Sequence, residues 1–259
     1  GSVKNQYFGD INDYRKYGLL RAIVRCSRLR LLVAWMLTPD DGSTDGKFIS
    51  YLENPAKWAH HDPILFQGLK GLVDSVRQRV VSMIESSELL GQAGYFSLIV
   101  PDAATERSQW FKSLEEEVKL YDFVFLDTDN GLEVKSRPYG AKNSSKFLYW
   151  REVEALWSSG KSLLIYQHFV REKRVIFIQR MLEALKSATP ESFVEAFSTP
   201  HVMFLMALQP KHHSLHAEIV EAVQERWAGQ IQHWELIRAQ RVRTIRVSEA
   251  NHGCWRGSP

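Results

Sequence analysis

Cysteine is nearly absent: Cys26 and Cys254 are the two in 259 residues. Two thiols make neither a disulfide framework nor a four-cysteine zinc site, which points to a reducing, cytoplasmic protein. Long apolar runs are missing too. Stretches such as Leu31 to Pro39 and Val202 to Pro210 are about half of the ~18 residues that a bilayer-spanning helix needs, so no membrane span is expected. Nor is there an excess of charge of one sign. Thirty-three Lys and Arg against 30 Asp and Glu leave +3, which permits a local phosphate or nucleic-acid site without demanding one. Glycine and proline, 15 and 9, are too few for a collagen-like or low-complexity chain. No G-x-S-x-G, Walker A or intact G-x-G-x-x-G occurs, which argues against hydrolase triads, P-loop ATPases and ordinary dinucleotide enzymes.

What is present is a chain that is 44% hydrophobic, without internal repeats or a Ser/Gly-rich linker. A single α/β domain over residues 1–259 is the expectation, with Gly1-Ser2 read as the remnant of a removed tag. Short apolar runs at Leu31 to Leu37, Tyr95 to Val100, Phe123 to Leu126, Ser162 to Tyr166 and Val202 to Leu208 read as buried strands. Helical periodicity separates them, at Asp62 to Glu85, Thr105 to Lys119, Trp150 to Trp157 and Arg171 to Lys186. This alternation predicts a Rossmann-like, mainly parallel sheet with helices on both faces.

Ligands collect at the carboxyl ends of such strands, and three of these ends carry polar clusters. Asp40, Asp41 and Asp45 follow the first run, Asp127, Asp129, Asn130 and Glu133 follow the third, and Gln167 and His168 follow the fourth. The Asp-Gly and Asn-Gly pairs among them also suit ordinary turns. Ahead of the first run, a helix capped by Asp10 or Asn12 carries Arg15, Lys16, Arg21 and Arg25 beside Tyr14 and Tyr17. That pattern fits either phosphate contacts with base stacking or a solvated basic face.

The carboxylates support two chemistries. Asp127 and Asn130 can accept hydrogen bonds from a target amine, with Tyr7, Phe8 or Tyr166 stacking its base. Alternatively Asp127, Asp129 and Glu133, or Asp102 in place of one of them, hold Mg²⁺ or Mn²⁺ in a nuclease or phosphohydrolase, with Lys135, Lys142 or His168 in charge or proton roles. Elsewhere, Asp62 reads as a helix cap. His212 and His216 stand one turn apart as in a zinc helix, but the metalloprotease Glu is missing, and a solvated helix start after Pro210 is expected. Ile231 to Val247 alternates like a hairpin or edge strand.

The run Asn5 to Arg21, the segment Trp35 to Gly42, the motif Leu126-Asp127-x-Asp129-Asn130-Gly131-Leu132-Glu133 and Tyr166-Gln167-His168 together resemble an uncharacterised bacterial family. That likeness implies no activity. More distantly, the layout is similar to the ribosomal RNA adenine methyltransferases, which open with a basic helix before the first strand. Asn12 to Tyr17 loosely echoes that helix. The similarity implies that Leu31 to Gly46 is the cofactor loop, with Asp40, Asp41 and Asp45 near S-adenosylmethionine. It also matches Asp127 to Asn130 to an Asp-Pro-Pro-Tyr motif, although Thr128 and Asp129 replace the prolines and Asn130 the aromatic. The leading expectation is a methyltransferase-like enzyme acting on a nucleic acid or nucleotide. Asp127, Asp129, Asn130, Glu133 and His168 are its catalytic candidates, and Arg15, Lys16, Arg21 and Arg25 its phosphate contacts. The metal-dependent nuclease and a non-catalytic binding module are the alternatives.

Overall fold

The five apolar runs become five adjacent strands of one sheet, flanked by helices whose caps are written locally. A computed structural model describes residues 9–39, 48–75 and 82–237. Its first half contains α1 (Ile11–Cys26), β1 (Leu31–Ala34), α2 (Pro55–Trp58), α3 (Pro63–Ser75), α4 (Ser82–Glu85), β2 (Gly94–Phe96), α5 (Ala104–Val118) and β3 (Phe123–Leu126). The second half contains β4 (Gly131–Leu132), β5 (Phe147–Leu148), α6 (Trp150–Ser158), β6 (Ser162–His168), α7 (Arg174–Ala188), β7 (Phe193–Ser198), β8 (Val202–Leu208), α8 (His216–Trp227) and β9 (Gln232–Glu235).

The sheet runs β2-β1-β3-β6-β8-β7-β9. The strands β2, β1, β3 and β6 pair in parallel. β8 is reversed between β6 and β7, and β9 closes the edge antiparallel to β7. The sheet is therefore mostly parallel, but the fifth apolar run, β8, points the other way and delivers its carboxyl end to the opposite edge. Its residues are all buried, and an apolar run covered on both faces carries no mark of its direction. β7 lies outside the five runs. β9 takes up the start of the segment read as an edge strand, whose residues beyond 237 lie outside the described ones.

Alternation along the strands splits the core between two faces. Leu31, Val33, Phe123, Phe125 and Leu164 meet α1, α3 and α8, whereas Leu32, Val124, Leu163 and Ile165 meet α5, α6 and α7. Helix α1 starts where Asp10 accepts the Asp13 N–H at 2.9 Å, while Asp13 takes the Gly9 N–H at 2.8 Å. Midway along it, Gly18 is required by packing, since a Cβ there would lie 2.0 Å from the Trp227 ring of α8. Asp62 caps α3 as expected, accepting from Leu65 N at 3.1 Å. Among the described residues no helix is long and apolar enough to cross a membrane.

Candidate functional site

From β1 the chain crosses to β2 on one side, while β3 lies on the other, so the order of the sheet reverses between β1 and β3. Crevices at such a reversal are the usual ligand sites of open α/β sheets. Ala34, Leu126 and Ile165 are the last residues in register across β1, β3 and β6, and Trp35, Asp127 and Tyr166 follow them. Asp127 N still donates to Ala34 O at 2.9 Å, and Thr38 Oγ1 reaches Asp129 Oδ2 at 3.3 Å. On the other flank, Thr128 Oγ1 donates to Tyr166 O at 2.9 Å and His168 N to Asn130 O at 3.0 Å. Gln167 Oε1 accepts the Leu132 N–H at 2.7 Å. Gly131, at φ 126°, lets this happen, because a Cβ there would sit 2.3 Å from that oxygen. Asp127, Asp129, Asn130, Gln167 and His168 are thus brought together at one edge.

Two features of this edge lie beyond sequence reading. Met36, the second residue after β1, adopts φ 45°, a left-handed conformation that costs a non-glycine residue about 1–2 kcal/mol. Its chain is held there by Trp35 N to Phe96 O at 3.0 Å and Val100 N to Leu37 O at 2.9 Å. The second is a buried ionic knot. Lys16 Nζ lies 2.8 Å from Asp127 Oδ2 and 3.0 Å from Asp13 Oδ1, and over the rings of Tyr17 and Trp35. Burial works against the ammonium, yet Asp127 and Asp13 outweigh it and hold Lys16 charged beyond the usual lysine range. Asp127, with no exposed surface, is pushed up to about 6 by burial, only partly countered by Lys16; its Oδ1 has no hydrogen-bond partner among the described residues. Asp10 is likewise raised to about 6, by burial and then by Asp13. His168 is lowered to about 4 by burial, so its ring is neutral at pH 7.

The basic helix departs most from expectation. Arg15, Lys16 and Arg21 face inward, with 5%, 6% and 9% exposure. Arg21 pairs with Asp62 at 2.7 Å and also donates to Leu89 O, while Arg15 donates to Gln230 Oε1 at 2.8 Å. Arg25 alone of the four is exposed, in the last turn. A helix packed on the sheet must bury one face, and here internal carboxylates make basic residues acceptable on it. Glu133 also leaves the cluster: its Oε1 accepts Trp150 N at 2.7 Å and so caps α6. Asp102 is held by the backbone N–H groups of Asn143 and Ser145 at 3.0 and 2.9 Å. Lys135 and Lys142 are exposed, and Tyr166, 2% exposed, packs against Phe204 instead of offering a stacking face. His212 is buried, 2.6 Å from Ser162 Oγ, rather than solvated. Asp40, Asp41, Asp45, Tyr7 and Phe8 lie outside the described residues.

Sequence reasoning also missed a cleft of about 370 Å³ beside the start of α1, lined by Arg15, Tyr51, Lys57, Trp58 and His201 among others. Arg15 and Lys57 both lie over the Trp58 ring, at 5.8 and 5.2 Å. Arg15 Nη1 is buried without a hydrogen-bond partner among the described residues. Of its cations the basic run marked Arg15 alone, because Lys57 comes from a separate segment.

No protein-family model and no curated protein matches the chain. Among solved structures it is similar to protein LPL1258 from Legionella pneumophila, of the family model DUF519. The two are 10% identical over 87% of this chain and 95% of that one, with a TM-score of 0.42.

Proposed function

We propose that the chain is an S-adenosylmethionine-dependent, methyltransferase-like enzyme that modifies a nucleic acid or nucleotide. The observation that carries this reading is the strand order, in which a reversed β8 is wedged between β6 and β7 and a polar motif follows β3 at the reversal point. That arrangement is the one associated with the methyltransferase branch of Rossmann-like folds. The groups at this edge are of the kinds the cofactor would need. Thr38 and Asp129 supply polar groups for hydroxyl or amino donors, and Leu98 and Ile99, 54% and 61% exposed after β2, supply apolar surface for a purine. The usual glycine behind β1 is replaced by Met36, which takes the left-handed backbone itself.

In this reading Asp127 is a positioning residue, locked to Lys16, and Asn130 is the group left to accept from a target amine. Arg15, Lys57 and Trp58 in the neighbouring cleft combine cations with an aromatic face, the combination that tracks single-stranded nucleic acid. The metal-dependent alternative is weaker, since Asp127, Asp129 and Glu133 do not gather as a three-ligand set among the described residues.

Calorimetric titration with S-adenosylmethionine tests the proposal. The wild type is expected to bind one equivalent, and Asp129→Asn to bind about 10- to 100-fold more weakly, the effect of removing a charged hydrogen-bond acceptor. A wild type that takes up no S-adenosylmethionine overturns the reading. For the nucleic acid, Lys57→Ala is expected to weaken binding of single-stranded RNA and to lower the salt slope by about one. An unchanged slope removes the cleft from the binding surface.

A further inference from the structure

A second constellation lies away from the crevice, on the face of β7 and β9 that turns toward α8. Glu195, in the middle of β7, has no exposed surface. The β7–β9 register places Glu235 directly opposite it, a like-charge pair that is unfavourable unless a cation stands between. His233, two residues before Glu235 and therefore on the same face, brings Nε2 to 3.3 Å from Glu195 Oε1. This approach is not a hydrogen bond: His233 Nε2 and Glu195 Oε2 are both buried without partners among the described residues. Buried polar atoms are rarely left so, and two at one point call for a common partner. One ligand atom from each of Glu195, His233 and Glu235 lies within 4.8 Å of the others, which makes them the single such group among the described residues.

We infer that Glu195, His233 and Glu235 form a binding site for a divalent transition-metal ion, with zinc the best match to one imidazole and two carboxylates. Two ligand atoms each bound at about 2.0–2.1 Å in a tetrahedron lie roughly 3.3 Å apart, the separation His233 and Glu195 already have. His216, at the start of α8, fits the role of a positioning residue. Its Nδ1 lies 2.5 Å from Glu195 Oε1 and fixes the carboxylate, whose remaining lone pair on Oε1 and unpartnered Oε2 both stay open to the ion. The sequence pair His212 and His216 therefore does not act as a unit: His212 turns to Ser162 and His216 to Glu195. Glu235 is exposed, so the fourth position opens to water. The ion would clamp the edge strand β9 to β7 beneath α8, independently of the crevice at β1 and β3.

The test is a zinc titration of the full chain after removal of metal by a chelator, read by calorimetry and by thermal unfolding, with Co²⁺ absorption reporting the geometry. One Zn²⁺ per chain is expected, with a rise in melting temperature and a tetrahedral Co²⁺ spectrum. His233→Gln and Glu235→Gln are each expected to lower zinc affinity at least tenfold and to remove the rise in melting temperature, while His60→Gln leaves both unchanged. Glu235 and His60 are exposed, so these two variants report binding even where a core change impairs folding. No zinc uptake by the wild type, or uptake equally strong in Glu235→Gln and His233→Gln, overturns the site and leaves Glu195 as a hydrogen-bonded carboxylate between histidines.

Discussion

Lys16→Met is expected to destabilise the protein by about 3–5 kcal/mol near neutral pH, the cost of leaving a buried carboxylate without its cation. Asp127 has no exposed surface, and Lys16 is the cation bonded to it. Methionine fills the aliphatic volume of lysine but supplies no charge. The loss is expected to depend on pH with a definite sign. Because burial raises Asp127 to about 6, above the 3.8 of an unperturbed carboxyl, the folded state takes up this proton before the unfolded state as pH falls. In the wild type this group therefore weakens the fold above pH ~6 and ceases to do so as pH approaches 4. In Lys16→Met the orphaned carboxyl holds its proton still more tightly, so the deficit is largest at pH 8 and shrinks at pH 5, where Asp127 is neutral in both proteins. Urea denaturation of both at the two pH values measures this. A deficit equal at pH 8 and pH 5 would show that the ion pair is not its source.

The other large effect belongs to Arg107, which is completely buried on α5. It donates from Nε to Glu152 Oε2 at 3.0 Å and from Nη2 to Glu152 Oε1 at 2.8 Å, a bidentate pair joining α5 to α6. The same guanidinium donates to Phe147 O at 2.7 Å and Ser144 O at 3.3 Å, so it also holds β5 and the turn before it. The rings of Trp110 and Tyr149 lie 5.1 and 5.4 Å away. Arg107→Met strips the buried Glu152 of its cation, leaving it the Tyr149 N–H at 3.0 Å, and takes a donor from the Phe147 and Ser144 carbonyls; a loss of about 3–5 kcal/mol is expected, lowering the melting temperature by on the order of 10 °C. Arg107→Lys should recover little, since an ammonium cannot serve a carboxylate bidentately and two carbonyls as well. Adding Glu152→Leu to Arg107→Met should regain part of the loss by removing the stranded charge. Chemical denaturation of the three variants checks the sequence of stabilities. An Arg107→Lys protein as stable as wild type would show that the fork geometry contributes nothing.

The placement of these charges explains what was and was not legible. The run Phe123 to Leu126 followed by Asp127 to Asn130 announces a strand with a polar end, and the same logic found Gln167 and His168, because burial and turn chemistry are local. The basic run on α1 misled for the complementary reason. Composition records that Arg15, Lys16 and Arg21 are charged, but their partners Gln230, Asp127 and Asp62 are far along the chain, and only packing brings them together. Glu133 shows the same limit: three residues beyond Asn130 it belongs to the motif in the sequence, yet the short ribbon of β4 and β5 carries it to the start of α6.

By itself the amino-acid order determined the alternation of strands and helices, a cap for α1 at Asp10 or Asn12, of which the structure uses Asp10, the capping of α3 by Asp62, and the polar character of the β1, β3 and β6 ends. These depend on periodicity and short-range hydrogen bonding, which a few neighbouring residues settle. Tertiary structure alone decided that β8 runs against β6, that Lys16 lies under Asp127 rather than in solvent, that Met36 takes a left-handed turn, and that Glu195 meets Glu235, His216 and His233 across β7, β9 and α8. Each of these is a choice of partner between segments distant in the chain, and such a choice is made by the packing of whole faces, not by the residues on either side.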